Sequence, residues 1–175
     1  CWEDALHKII DKKGIDSAFN FIEKAYNSDP DFKQICHDMA HEIGRYVYKS
    51  FKKGTDITLS ENVTFCEYGF FHGFTESIAG KKNIAQEAQD FCSMVTEKLG
   101  SKLFDVKNQC YHGFGHGSVD GSDKSAWGDE IKLIKPGVET CEAVSIDSET
   151  LFRCATGVFD SIYIAYIGDK FDISM

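Results

Sequence analysis

Residues 110–117 read Cys110-Tyr111-His112-Gly113-Phe114-Gly115-His116-Gly117, and the spacing inside this stretch sets the fold expected of the whole chain. His112 and His116 are four apart, which puts both rings on one face of an α-helix. Gly113 and Gly117 share the same spacing, and each glycine inside a solvated helix costs up to about 1 kcal/mol. Paired glycines at that interval predict a helix crossing another so closely that no side chain fits between them, or else a turn approached by a ligand.

The stretch is one copy of a degenerate repeat. Segments beginning at Cys36, Cys66, Cys110 and Cys154 read CHDMAHEIG, CEYGFFHGF, CYHGFGHGS and CATGVFDSI. Three residues after the cysteine stand Met39, Gly69, Gly113 and Gly157. Six after stand Glu42, His72, His116 and Asp160. The first copy carries its second histidine one place earlier, at His41, and the fourth has no histidine. Each segment is expected to open a helix.

Other stripes agree. Trp2, Ala5, Leu6, Ile9 and Ile10, then Ala18, Phe21, Ile22 and Ala25, then Ile84, Ala88, Phe91, Val95 and Leu99 all recur at helical spacing. Only two prolines interrupt 175 residues, and Asp29-Pro30-Asp31 reads as a helix start with proline in the first turn. Gly14, Gly54, Gly80, Gly100 and Gly168 mark helix ends. The Gly-, Ser- and Asp-rich segment from Val119 to Gly137 predicts one long surface loop. The aromatic cluster Phe65, Tyr68, Phe70, Phe71 and Phe74 is expected in the core. The fold class is therefore all-α, a disulfide-stapled helical repeat or bundle, in a single helical domain over residues 1–175.

Seven cysteines contain no CxxC knuckle and no CxxCH haem attachment. Structural disulfides follow, and with them an oxidising compartment; the sequon Asn62-Val63-Thr64 agrees with a secreted chain. Cys92 and Cys141 precede the next repeat cysteine by 18 and 13 residues. This favours Cys92 with Cys110 and Cys141 with Cys154, leaving Cys36 with Cys66 and Cys1 over. Connectivity itself is a matter of Cα separation. Cys1 is a candidate lipid anchor, with pairing or an arbitrary chain boundary as the alternatives.

Lysine plus arginine number 19 against 28 aspartate plus glutamate, a formal charge of −9, which argues against a nucleic-acid partner. No apolar run reaches the roughly 18 residues of a membrane helix. The acidic stretch at Asp120, Asp123, Asp129 and Glu130 lacks the ligand alternation of an EF-hand. His37-Asp38-Met39-Ala40-His41 has the spacing of a zincin HExxH but an aspartate where the general base belongs, so peptidase chemistry is not expected.

The histidines form the strongest chemical signal. His37 with His41, and His112 with His116, can each present two imidazoles to one ion, and His72 holds the repeat position of His116. Imidazole-rich ligation favours zinc or copper over magnesium or calcium. Glu42, Glu76 and Asp160 are the carboxylates placed to orient a ring or complete coordination. His7 lies outside the motifs and is expected to be an ordinary hydrogen-bonded histidine.

With CHxxxHxxG at Cys36–Gly44, CxxGxxHG at Cys66–Gly73 and CxHGxGHG at Cys110–Gly117, the chain resembles a family of extracytoplasmic Cys/His-repeat proteins over about its middle half. The resemblance implies that cysteines and histidines act as one set; it names no substrate. The reading is an extracytoplasmic, secreted or cell-surface protein with a zinc or copper site at His37, His41, His72, His112 and His116, for metal capture or metal-dependent chemistry. If catalytic, Glu42 or Glu76 would accept the proton. The alternative is a structural or interaction subunit, homo-oligomeric or part of a surface assembly, whose histidines satisfy a polar core.

Overall fold

A computed structural model describes residues 2–78, 81–119, 126 and 128–167, with side chains through residue 164. Cys1, Gly80 and Gly168 fall outside that set, and the lipid-anchor and helix-end expectations at those positions with them. Among the described residues there are eight α-helices and no strand. The chain divides into two compact units, residues 1–77 with 95–106, and 78–94 with 107–175.

In the first unit α1 (Trp2–Lys13) and α2 (Ile15–Ser28) meet at Gly14, whose φ of 84° suits glycine. Asp29 then caps α3 (Pro30–Lys52), accepting hydrogen bonds from the Asp31 and Phe32 amides, with Pro30 in the first turn. A loop containing Gly54 leads to a 3₁₀ turn (Glu61–Thr64) and to the short α4 (Gly69–Glu76). Leu6, Ala18, Phe19, Ile22, Phe32, Ala40, Ile43, Val47, Val63, Phe70, Phe71 and Phe74 are buried; of the expected aromatic cluster, Phe65 and Tyr68 are only half-buried. Phe19 meets Phe70 edge-on at 6.1 Å, and Tyr48 meets Phe74 at 5.4 Å.

α5 (Ile84–Leu99) follows the predicted stripe, with Ala88, Phe91, Val95 and Leu99 buried. The second unit adds α6 (Val106–Gly117), α7 (Glu130–Val144) and α8 (Ser148–Ile167). Asp147 caps α8 through the Thr150 amide at 2.8 Å, and the buried Thr150 hydroxyl accepts from the Ile146 and Asp147 amides. Two expectations need correction here. Of the predicted loop, residues 120–125 and 127 lie outside the described set and 130–137 are helical: Asp129 caps α7 through the Lys132 amide, and Pro136 sits inside that helix, where Leu133, Gly137, Cys141 and Val144 are buried. The repeat cysteines also do not open helices. Cys36, Cys110 and Cys154 lie within α3, α6 and α8, with Asp29 and Asp147 capping α3 and α8 upstream of their cysteines, and Cys66 lies in the turn before α4.

The cysteine pairs at disulfide distance are the favoured ones: Cys36 with Cys66 and Cys92 with Cys110 at Cα separations of 5.7 Å, and Cys141 with Cys154 at 5.5 Å. No described helix is long and apolar enough to cross a membrane.

Candidate metal centre

Two helices of the first unit build the site. His37 and His41 stand one turn apart on α3, and α4 lies against α3 backbone to backbone. A Cβ on Gly69 would sit 2.7 Å from the His37 carbonyl oxygen, and Cβ atoms on Gly73 and Gly44 would overlap the carbonyl oxygens of His41 and Phe70. Any side chain at these places would push the helices apart, so the glycines are what brings His72 of α4 beside the α3 pair.

His37 Nε2 lies 2.9 Å from His41 Nε2 and 3.4 Å from His72 Nδ1, and one nitrogen of each ring falls within 4.8 Å of the other two. The rings stand edge to face, with interplanar angles of 61°, 66° and 77°. In a tetrahedral zinc site with Zn–N bonds of about 2.0–2.1 Å, ligand nitrogens lie about 3.3–3.4 Å apart, so the spacing fits an ion with small adjustment. His41 and His72 are buried.

The outward nitrogens fix which atoms face inward. His37 Nδ1–H donates to the Cys66 carbonyl at 2.9 Å. That carbonyl is offered by three consecutive residues with left-handed backbone, Cys66, Glu67 and Tyr68, at φ of 59°, 57° and 61°. Non-glycine residues rarely adopt that region, and their clustering beside the ligands fits the storing of strain at functional sites. His41 Nδ1 lies 2.9 Å from Glu76 Oε1. Burial works to raise the Glu76 pKa, but the hydrogen bonds and charges of His41 and Arg45 outweigh it and hold the carboxyl below its ordinary value. An ionised Glu76 only accepts, so His41 donates from Nδ1 and turns the Nε2 lone pair inward. Two imidazole lone pairs then face each other at 2.9 Å. Only a proton or a metal ion between them relieves that arrangement. Burial lowers the His37 pKa, more than the bond to Cys66 restores it, which disfavours a proton resting on His37 Nε2.

Outside the rings runs a polar network. Arg45 donates to Glu42 Oε2 at 3.0 Å and to Glu76 Oε2 at 2.9 Å. Glu42 Oε1 pairs with His7 Nε2 at 2.7 Å, and the His7 ring stacks on Tyr46 at 3.9 Å. Burial opposes the charge on Arg45, yet its bonds to Glu42 and Glu76 raise its pKa above the ordinary value. Glu76 is thus the predicted orienting carboxylate, and Glu42 is one step further out. A recess of about 350 Å³ opens beside His37, lined by Tyr26, Lys33, Gln34, Phe65, Glu67 and the Cys36–Cys66 pair.

His112 and His116 belong to the second unit, on α6, with ring centroids 6.5 Å apart. His112 Nε2 lies 3.7 Å from Asp160 Oδ2 of α8, and its Nδ1 lies 3.2 Å from the Thr156 hydroxyl. Burial lowers the His112 pKa against the opposing pull of Asp160. In this unit Gly115 and Gly157 stand at close crossings: Cβ atoms there would overlap the carbonyl oxygens of Cys154 and His112. The group within ligand distance among the described residues is His37, His41 and His72.

No family model, curated protein or solved structure matches the chain. The site therefore rests on its own geometry. Three participants were not singled out from sequence. Arg45 carried a weak signal, three residues after Glu42 at helical ion-pair spacing. His7, 35 residues from Glu42, and the Cys66 carbonyl carried none.

Proposed function

We propose that the chain is an extracytoplasmic metal-binding protein that captures and retains one transition-metal ion, zinc in the first place, through His37 Nε2, His41 Nε2 and His72 Nδ1. The observation that carries this reading is the opposed pair of inward lone pairs on His37 and His41, each fixed by an acceptor on its far nitrogen. Three imidazoles suit zinc or copper, and copper binds such a set more strongly wherever it is available. Retention is favoured over hydrolysis by the carboxylates. Both oxygens of Glu76 are engaged by His41 and Arg45, and both of Glu42 by His7 and Arg45, which leaves neither placed as a general base toward the ring cluster. The extracytoplasmic assignment is supported by the three cysteine pairs at disulfide distance, which persist where the surroundings oxidise, and by the resemblance to extracytoplasmic Cys/His-repeat proteins.

Elemental analysis of protein purified without chelator or affinity tag tests the reading. At least one equivalent of zinc or copper is expected, with one equivalent lost in His72→Ala, and melting temperature should fall when a chelator strips the wild type. Metal-free protein whose melting ignores added zinc would instead support a structural or interaction subunit with a proton shared between His37 and His41.

A further inference from the structure

The repeat places a second, diverged constellation in the other unit. In the first unit a helix carrying two histidines four apart, α3, is crossed by a helix whose glycine stands three residues after its cysteine. That glycine, Gly69, packs against the carbonyl of the first histidine, His37. In the second unit Gly157, three residues after Cys154, packs in the same way against the carbonyl of His112, the first histidine of the pair on α6. Three residues further along the crossing helix, about one turn, stands His72 in the first unit and Asp160 in the second. His112, His116 and Asp160 are therefore the counterparts of His37, His41 and His72.

The local bonding follows the same plan. His37 donates from Nδ1 to a carbonyl and turns Nε2 inward. His112 has Nδ1 beside the Thr156 hydroxyl, which itself donates to the Arg153 carbonyl at 2.7 Å and so has a lone pair to offer. Its Nε2 is turned toward Asp160. The differences are also consistent. Rings 6.5 Å apart, against 4.6 Å for His37 and His41, and an Asp160 side chain 48% exposed make a looser, wetter setting.

We propose that His112, His116 and Asp160 form a second binding site for a divalent first-row transition metal, weaker and more readily exchanged than the three-histidine centre. Two imidazoles and a carboxylate are a harder ligand set than three imidazoles and suit ferrous iron, manganese or zinc rather than cuprous copper. An ion would draw the three side chains together at a small cost, since Asp160 is already near the surface. This inference borrows the frame of the first site but stands on different residues in a different unit, so each can fail alone.

The test is titration of the chelator-stripped full chain with Zn²⁺ alone, followed by calorimetry and by competition with a chromophoric chelator. Two classes of site are expected, at least tenfold apart in affinity. Asp160→Asn and, separately, His112→Gln should weaken the weaker class at least tenfold and leave the tighter one unchanged, while His72→Ala should do the reverse. Asp160 is exposed, so Asp160→Asn should melt as wild type does. A single equivalent abolished by His72→Ala, or a second class indifferent to Asp160→Asn, overturns the proposal. Binding that answers to Asp160→Asn and not to His72→Ala upholds it and overturns the three-histidine centre instead.

Discussion

A single carboxylate, Glu76, decides the behaviour of His41. Its Oε1 accepts the hydrogen bond from His41 Nδ1 and so leaves the Nε2 lone pair facing inward. Glu76→Gln keeps the shape, removes the charge, and lets the amide present a donor to a ring that needs an acceptor. Zinc affinity should fall about 10–100-fold, measured by chelator competition, with His41 and Arg45 still in place; unchanged affinity would mean that Glu76 serves only Arg45. His37 is held differently, by a main-chain carbonyl that no substitution of a side chain removes directly. The cost of presenting it falls on Cys66, Glu67 and Tyr68, whose left-handed backbone is stabilised by the surrounding packing. Composition gave no hint of that turn, because three non-glycine residues in this region are not a pattern a propensity scale can contain.

Helix pairs, not single helices, are the working elements. The glycine spacing in the repeats announced close crossings, and such crossings exist, but which glycine meets which carbonyl depended on the register of two helices distant in sequence. At Gly73 the required movement is of backbone against backbone. Gly73→Ala should destabilise the first unit by more than about 3 kcal/mol in urea unfolding, at the severe end for a point substitution, and should reduce zinc binding in whatever folds. Gly54→Ala is the contrasting case. A Cβ there meets nothing within 4 Å, and the penalty comes from φ of +70° alone, so about 1–2 kcal/mol is expected. Equal losses at the two positions would contradict the crossing as the source of the effect. Helix starts were legible where a cap stood in the sequence, as at Asp29-Pro30. They were missed at α7, where a Gly-, Ser- and Asp-rich stretch suggested a loop through Gly137 and Asp129 proved to be the cap.

For the molecule as a whole, cross-links and protons set the limits of stability. The cysteine pairs span 30, 18 and 13 residues, and loop-closure entropy assigns them about 3.6, 3.2 and 2.9 kcal/mol in that order. Serine pairs replacing each in turn should rank likewise in urea midpoint, and the loss of Cys36 with Cys66 should also lower metal affinity, because Cys66 carries the carbonyl that aims His37. In chelator-stripped protein, burial holds both His37 and His112 below the ordinary imidazole value of 6.5, with His41 facing the first, Glu67 and Asp38 nearby, and Asp160 and Arg153 beside the second. The unfolded chain takes up these protons near that value and the folded chain only at lower pH. Stability is therefore fully present above about pH 6.5 and declines as pH falls through the window below it. The urea midpoint of the stripped protein should drop between pH 7.5 and 5.5; a midpoint that held or rose would contradict the burial of these rings.

Helical periodicity, cap residues and the short intervals between cysteines are local properties, and from them the chain by itself determined an all-α fold and the faces that carry histidine, and favoured a cysteine pairing that the Cα separations then matched. Those patterns relate residues a few turns apart, which is the distance over which backbone geometry is dictated by the chain. Which histidine pair receives a third imidazole and which receives an aspartate, and which nitrogen of each ring faces inward, was decided by the tertiary structure. Such choices depend on contacts between helices about 30 or more residues apart, made by glycine faces and one left-handed turn, and no rule of spacing reaches across that interval.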